Sequence, residues 1–344
     1  MINLSALGLM PLPSCRLKDP LMLRHLTALA LSLLMPAAAY AACEGENLIA
    51  ALPADLKAEL RAETAAHAYP EGNIWRAEKD GKTVHVVGTV HIHDPRLAAI
   101  RDEVAPAMAG ADVLILEATT SDQAALQQRI MANPEVAFLT EGPSLIDLLG
   151  DETWALLAGR LEERGVPAMV AAQFRPWLVS VTLALPPCAI VDQQAGKAGL
   201  DAMLEAEAER LGLAIDTLDD LDRILEVISA GTLDEQVEML KVALQMDIDG
   251  AAMIATTLDS YLSGRHREFV EFSRVQSRLL TGSNASVDAF LETVLVERNR
   301  DWAEKLPALI EGRDAVIAVG AAHLSGETGV LMTLERLGYR LTRL

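Results

Sequence analysis

Two stretches of the sequence share one order of residue types: an apolar run, a glycine, two small or β-branched residues and a histidine. The first pairs Gly88 with His91, and the second pairs Gly320 with His323. With 22 Gly and 7 His in 344 residues, chance alone predicts about half of one such Gly-x-x-His motif. The informative feature is therefore the apolar run that precedes both motifs. Glycine at a strand end permits a turn that is closed to other residues and that aims the imidazole across the edge of a sheet.

A carboxylate follows a third apolar run, because Glu117 comes directly after Val113 to Leu116. A buried strand should not end in a carboxylate unless some partner satisfies it. In open α/β sheets, ligands bind at the carboxyl ends of the strands. We therefore predict a metal shell of His91, Glu117 and His323 with open positions for water. Mixed nitrogen and oxygen ligands suit Zn, Mn or Co.

Each of these residues also has a structural interpretation, since a single histidine at a strand end is often a hydrogen-bonded core residue. The combination with Glu117 favours a site. The sequence His91-Ile92-His93 is also how amidohydrolase barrels present two metal ligands, but that fold needs eight strand and helix units. The chain has too few strands for it, so we expect His93 to lie just outside the ligand set. Packing or surface positions are expected for the other histidines of interest, His67, His85 and His266.

Three segments are predicted to be the strands that position these side chains: Thr83 to Gly88, Asp112 to Glu117 and Asp314 to Gly320. Each is a short β-branched apolar run, which is typical of a strand covered on both faces. Weaker strand patterns occupy Leu213 to Thr217 and Tyr339 to Leu344. Helical patterns alternate with the strands and predict an α/β fold with a mostly parallel or mixed central sheet.

The helical patterns are longer than strand connections require. We predict that two large helical insertions, residues 120–212 and 219–312, form a cap beside the sheet. No linker rich in proline, glycine or serine divides residues 42–344. These residues are therefore expected to form a single domain.

The first 41 residues have the layout of a secretory signal peptide. Three basic residues, Arg16, Lys18 and Arg24, precede the apolar run Leu26 to Pro36 and a cluster of small residues that ends at Ala41. The apolar run is shorter than the ~20 residues that a membrane span needs. We therefore expect cleavage near Ala41 rather than an uncleaved anchor, and a periplasmic or secreted chain without an integral membrane domain.

Charge and cysteine content constrain the mature chain further. Removal of residues 1–41 takes away three basic residues and one acid, so the net charge changes from −20 to −22. So acidic a chain repels nucleic-acid phosphates, and we expect no nucleic-acid partner. In an oxidising compartment, Cys43 and Cys188 are expected to form one disulfide. The alternative is a pair of unpaired buried cysteines.

An ordered set of motifs extends from Gly72 to the C-terminus. It comprises Gly72-Asn73-Ile74-Trp75, the run Val87 to Arg96, Glu117, Pro176-Trp177, Pro186-Pro187-Cys188, Gly199-Leu200-Asp201, the run Glu297 to Trp302 and the run Val319 to Val330. On these motifs the chain resembles the TraB/GumN family, related to the Tiki metalloproteases and remotely to erythromycin-esterase-like proteins. Where that family usually has Gly-Leu-Glu-Thr, this chain has Ala214-Ile215-Asp216-Thr217. Asp216 keeps the carboxylate with one methylene less and stays a candidate site residue.

These features predict a hydrolase of peptide or related acyl bonds in which a divalent metal lowers the pKa of its bound water. The resemblance favours Arg298 as the group that stabilises an oxyanion or binds a substrate carboxylate. Without the resemblance, Arg298 would be a solvated helix residue. Two alternatives stay open: a metal-independent, esterase-like hydrolase with imidazole as general base, and a non-catalytic protein that binds a ligand or partner in the same cleft. The expected substrate is a peptide or a small molecule.

Overall fold

The structure is a computed structural model and describes residues 43–245 and 249–344. The signal peptide predicted for residues 1–41 lies outside the described residues. The described chain contains a six-stranded sheet. Its strands are β1 Ile74–Lys79, β2 Lys82–Thr89, β3 Val113–Leu116, β4 Ala214–Thr217, β5 Ala315–Gly320 and β6 Arg340–Arg343.

Helices make up most of the remaining described chain. The α-helices before β4 are α1 Leu48–Ala51, α2 Ala54–Ala65, α3 Leu97–Ala109, α4 Thr120–Ala132, α5 Leu145–Leu149, α6 Asp151–Glu162, α7 Ala168–Ala171, α8 Pro176–Leu183, α9 Pro187–Gln194 and α10 Leu200–Leu211. Those after β4 are α11 Leu221–Ile228, α12 Leu233–Gln245, α13 Gly250–Leu262, α14 His266–Thr281, α15 Ala285–Leu291, α16 Arg298–Ile310 and α17 Val330–Arg336. A π-helix, Glu292–Glu297, leads directly into α16, and short 3-10 helices span Pro134–Val136 and Ala321–His323.

The strand order explains how distant motifs reach one edge of the sheet. The strands lie in the order β4, β3, β5, β2, β1, β6. The first four are parallel to one another, whereas β1 is antiparallel to both β2 and β6. In this register Thr89 lies opposite Gly320, and Leu116 lies opposite Ala318. The carboxyl ends of β2, β3 and β5 therefore meet at the same edge.

Both faces of the sheet are buried, which is why its central strands are apolar at successive positions. Along β5, Ile317 and Val319 belong to one hydrophobic cluster, and Val316 and Ala318 belong to another. The first cluster includes residues of α16 and α17, and the second includes residues of α3, α10 and α13. The sheet is thus the middle layer of a three-layer arrangement.

A third hydrophobic cluster joins helices to one another. It includes Leu126 of α4, Leu145 of α5, Leu161 of α6, Trp177 of α8 and Leu240 of α12. These helices come from both segments predicted as a cap, residues 120–212 and 219–312. Other helices of the same two segments, α10, α13 and α16, contribute instead to the clusters that cover the sheet.

The predicted α/β fold with a mixed sheet is confirmed. All five predicted strands are present within a few residues of their expected bounds. Strand β1 was not predicted, because it alternates between the buried Trp75 and Ala77 and partly exposed residues such as Arg76. The sequence interpretation relied on continuous apolar runs, which an antiparallel strand near the edge of a sheet does not need.

The predicted disulfide is present between Cys43 and Cys188, whose Cα atoms are 5.3 Å apart. It ties the segment before α1 to the first turn of α9. A disulfide is compatible with an exported protein in an oxidising compartment. In the described part of the chain, no helix is both long enough and apolar enough to cross a membrane.

Candidate active site

The carboxyl edge of the parallel strands brings together the three side chains selected from the sequence. His91 lies two residues beyond β2, Glu117 directly follows β3, and His323 ends the 3-10 helix after β5. A Cβ atom at Gly320 would lie 3.1 Å from Glu117 Oε1 and 3.6 Å from His323 Cδ2. It would lie 4.0 Å from His91 Nε2. The three side chains therefore surround Gly320.

The two motif glycines provide space rather than an unusual backbone conformation. Gly320 has a φ of −50°, and neither glycine has a positive φ. A Cβ at Gly88 would lie 2.8 Å from Leu324 Cδ1 and 3.0 Å from Ala321 Cβ. The sequence-based explanation, a turn open only to glycine, is corrected: these glycines let neighbouring chain segments approach closely.

His91 is held by a carboxylate at the start of α10. Its Nδ1 lies 2.9 Å from Asp201 Oδ2, so Nδ1 carries the proton and Nε2 is an acceptor. The side chain of His91 is 40% exposed. Enclosure by the protein lowers the pKa of His91, but the charge and hydrogen bond of Asp201, with a smaller effect of Glu117, raise it above its ordinary value overall.

The contact between Asp201 and His91 depends on Gly199. A Cβ at Gly199 would lie 2.4 Å from Val90 O, which no side chain tolerates. Leu200 N donates to the same carbonyl at 2.9 Å. The start of α10 is thereby fixed against the residue that precedes His91, and Asp201 reaches the imidazole.

His323 is a buried imidazole in a defined tautomer. Its Nδ1 donates to Asn299 Oδ1 at 2.7 Å, because an amide oxygen can only accept. Its Nε2 accepts from Arg298 Nη1 at 3.1 Å. The ring lies against Trp302, with ring centroids 4.3 Å apart. Burial lowers the pKa of His323 to about 3, so the ring is uncharged at pH 7.

Glu117 is a mostly buried carboxylate, 14% exposed, with both oxygens engaged. Oε1 accepts from Gly320 N at 2.6 Å, and Oε2 accepts from Arg298 Nη2. Burial raises the pKa of Glu117, but the guanidinium of Arg298 and the Gly320 N–H outweigh it and hold the pKa well below its ordinary range. Because His323 is neutral at pH 7, Arg298 is the cation that keeps Glu117 ionised.

Arg298 follows the π-helix directly and has all five N–H groups engaged. Nε and Nη2 donate to Asp219 at 3.2 and 2.6 Å, and Nη2 also donates to Glu117. Nη1 donates to His323 Nε2 and, at 3.2 Å, to Val294 O. A guanidinium has only five N–H groups. Direct contact with an oxyanion or substrate carboxylate, the role suggested by the resemblance, would require Arg298 to leave one of these partners.

The second carboxylate at Arg298 is Asp219 rather than Asp216. Asp216 lies in β4, and its Oδ2 accepts from Arg313 Nη1 at 3.0 Å. Asp219 lies three residues further on and also accepts from Trp302 Nε1 at 2.8 Å. The structure thus places Asp216 outside the site, because the chain must pass beyond the end of β4 before a side chain reaches Arg298.

Three residues of this network were not predicted: Asp201, Asn299 and Asp219. Asp201 and Asn299 lie in motifs that carry the family resemblance, but no role was assigned to them. The only sequence feature that points to Asp219 is its position after β4, whose carboxyl end lies at the same edge.

His93 lies beside the site, with Nδ1 3.3 Å from Ala198 O. The other histidines lie elsewhere: His67 near Arg267 and Glu271, His85 within β2, and His266 near Tyr69 O.

The donor types fit a divalent metal, but their present arrangement does not. His323 Nε2 uses its one lone pair to accept from Arg298 and lies 3.9 Å from Glu117 Oε1. Within residues 43–245 and 249–344, no group of three His, Cys, Asp or Glu side chains is arranged to hold a metal ion. A metal bound by His91, Glu117 and His323 would require Arg298 to withdraw from His323.

Comparison with known proteins places this site within one family. The model of the TraB/PrgY/gumN family matches residues 73–343, which include every site residue described above. The chain is 24% identical over 248 residues to the "Uncharacterized protein YbaP" of Escherichia coli, covering 71% of this chain and 84% of that protein. It is 22% identical over 277 residues to an "Uncharacterized protein" of Treponema pallidum, covering 78% and 81%.

Proposed function

The chain belongs to the TraB/PrgY/gumN family, and we propose that it hydrolyses peptide or related acyl bonds by general-base catalysis without a metal. One observation carries the proposal. His91 has its Nδ1 fixed on Asp201, while its Nε2, on a partly exposed side chain, lies near Gly320 and the mostly buried carboxylate of Glu117. An imidazole held by a carboxylate, with its other nitrogen free, is suited to accept a proton from water.

A water molecule in the cleft beside Gly320 would meet two acceptors, His91 Nε2 and Glu117 Oε1. One O–H would donate to each, and Glu117 would orient the water without taking its proton. As the water oxygen bonds to the acyl carbon, the proton passes to His91 Nε2, and Asp201 stabilises the resulting imidazolium. When the acyl bond breaks, the same proton passes from Nε2 to the leaving group, so His91 ends neutral.

Arg298 and His323 support this reaction as positioning residues. Arg298 keeps Glu117 ionised and holds it from one side, while Gly320 N holds Oε1 from the other. His323, fixed by Asn299, keeps Arg298 in place. A group that is held rigidly before reaction loses little free energy to reorganisation when charge develops.

A metal-dependent hydrolase is the second candidate. It is favoured because both histidines have Nδ1 hydrogen-bonded to an oxygen, Asp201 or Asn299, which is the usual arrangement of metal-binding histidines. His91, Glu117 and His323 would hold the ion, which would lower the pKa of a bound water. This candidate requires Arg298 to leave His323 Nε2.

The test is hydrolysis of p-nitrophenyl acetate and a panel of fluorogenic peptides by protein purified without chelator. His91→Ala should reduce kcat/KM at least about 100-fold, whereas the neighbouring His93→Ala should retain activity. Activity that resists EDTA, in protein free of metal by elemental analysis, supports the first candidate. Loss of activity in EDTA and its recovery with Zn, Mn or Co supports the second. Full activity of His91→Ala would refute both.

We further propose that residues 42–344 act as one domain in the periplasm or outside the cell. The disulfide between Cys43 and Cys188 supports this location, since such bonds persist in oxidising compartments. Cell fractionation with labelling of free thiols tests it. Cytoplasmic protein with two free thiols would contradict the proposal.

A further inference from the structure

A cavity of about 290 Å³ adjoins the candidate active site at Arg298 and Asp219. Its walls come from α11, the π-helix and α16. The volume lies near the lower end of the range for small-molecule pockets, roughly 300 to 1,000 Å³. The cavity is therefore large enough for one side chain of a substrate rather than for a large ligand.

Part of the cavity wall is aliphatic. Leu218 is buried, and the half-buried side chains of Ile224, Val227 and Val294 also line the cavity. Ile224 and Val227 are three residues apart on α11 and thus lie on the same face of that helix. This part of the wall suits an aliphatic chain.

The cations in the cavity wall have partners, whereas two of its carboxylates do not. Its cations are already engaged: Arg223 pairs with Asp301, Lys305 donates to Leu218 O, and Arg298 has no free N–H. The carboxylates of Glu297 and Glu304 also line the cavity. In the described part of the chain, neither of these two makes a hydrogen bond or an ion pair, so both can accept from a ligand.

The position of Glu297 connects the cavity with the proposed reaction. It is half-buried at the end of the π-helix and immediately precedes Arg298, which holds Glu117. A π-helical segment is rare and occurs often at functional sites, because its extra residue changes the directions of the side chains that follow. A group bound at Glu297 would lie next to the network that positions the attacking water.

We infer that this cavity binds a long aliphatic side chain that ends in a cation, such as that of lysine or arginine, next to the bond that is hydrolysed. The inference rests on the proposed function and names its substrate class. The aliphatic stem would pack on Ile224, Val227 and Val294, and the cationic end would donate to Glu297 and Glu304. Long cationic side chains commonly bury their stems in this way while the charged end stays polar.

Two matched probes test the inference without any hydrolysis: Nα-acetyl-lysine methylamide and Nα-acetyl-norleucine methylamide, which lacks only the terminal amine. Binding to the full mature chain is followed by methyl NMR, with the Ile224 signal assigned from Ile224→Val. The lysine probe should shift the Ile224 signal and bind at least about tenfold more tightly than the norleucine probe, the effect of one hydrogen bond to a charged group. Glu297→Gln should abolish that preference, and Glu311→Gln, an exposed residue after α16, should leave it unchanged.

The outcomes separate this inference from the proposed function. Equal binding of both probes, no shift at Ile224, or a lysine preference that survives both Glu297→Gln and Glu304→Gln would overturn the inference. Hydrolysis without a preference for the lysine probe would overturn this inference and leave the proposed function unaffected. Lysine preference in a protein that hydrolyses nothing would retain the binding site and reject the reaction.

Discussion

Replacement of Glu117 by glutamine should destabilise the fold by about 2 kcal/mol. The amide oxygen can still accept from Gly320 N, but the amide nitrogen then faces Arg298 Nη2, so two donors meet. The variant loses one hydrogen bond between charged groups, worth roughly 1.5 to 3 kcal/mol. The larger cost of an unpaired buried charge, roughly 3 to 5 kcal/mol, is not expected. Arg298 keeps its ion pair with Asp219 at 2.6 Å.

Urea and thermal unfolding at pH 7 measure this difference. Asp216→Asn is the matched control, because it removes a carboxylate from the partly exposed ion pair with Arg313 and should cost at most about 1 kcal/mol. Titration of the Glu117→Gln variant with Zn, Mn and Co then separates the two candidate functions. Lower stability with unchanged metal binding assigns Glu117 to positioning, whereas abolished metal binding assigns it to a ligand set.

The pH dependence of the free energy of unfolding tests the ion pair between Glu117 and Arg298. The pKa of Glu117 is lower in the folded protein than in the unfolded chain, where it is about 4.3. The stabilisation is therefore fully present above that value and is lost as the pH falls toward the folded pKa. The stability difference between wild type and Glu117→Gln should shrink below about pH 4. Equal stability at pH 7, or a difference that persists unchanged at acidic pH, would refute the ion pair with Arg298.

Three further predictions concern the site and the disulfide. Asp201→Asn should lower the pKa of His91, so the acidic limb of the kcat/KM profile should move to lower pH, and the rate should fall at least about 100-fold; an unchanged profile would exclude His91 as the base. Gly320→Ala, whose Cβ would lie 3.1 Å from Glu117 Oε1, should reduce kcat about tenfold or more by displacing that carboxylate, as steady-state kinetics will test against a wild-type melting curve. Cys43→Ser with Cys188→Ser should lower the free energy of unfolding by about 2 to 5 kcal/mol, because the bond closes a loop with a sequence separation of 145; wild-type stability unaffected by reductant would contradict this.

The sheet was predictable because its central strands are buried on both faces. Continuous apolar runs such as Val113 to Leu116 can hardly be anything else when they are this short and bounded by polar residues. The ends of these runs also located His91, Glu117 and His323 at one edge. Local pattern and burial were sufficient there, since parallel strands direct their carboxyl ends to the same side.

The partners of these residues were not predictable from local pattern. Asp201 and Asn299 lie in helices, where a polar residue is most often solvated, and only the packing of α10 and α16 on the sheet brings them to the edge. Asp219 follows the weakly patterned strand β4, which places it at the same edge. Their effect is large nonetheless. The five hydrogen bonds of Arg298 decide whether His323 can bind a metal, and no feature of the sequence around Arg298 indicates that all five are made.

The residues of the site lie far apart in the chain, at positions 91, 117, 201, 298 and 323. They approach one another only through pairing of β2, β3 and β5 and through docking of α10 and α16. Contacts of such large sequence separation are slow to form, because closing long loops costs conformational entropy before the contacts are made. A nascent chain, or one that is partly unfolded, therefore has no assembled site. Any chemistry that needs these side chains together therefore requires the whole sheet to be formed.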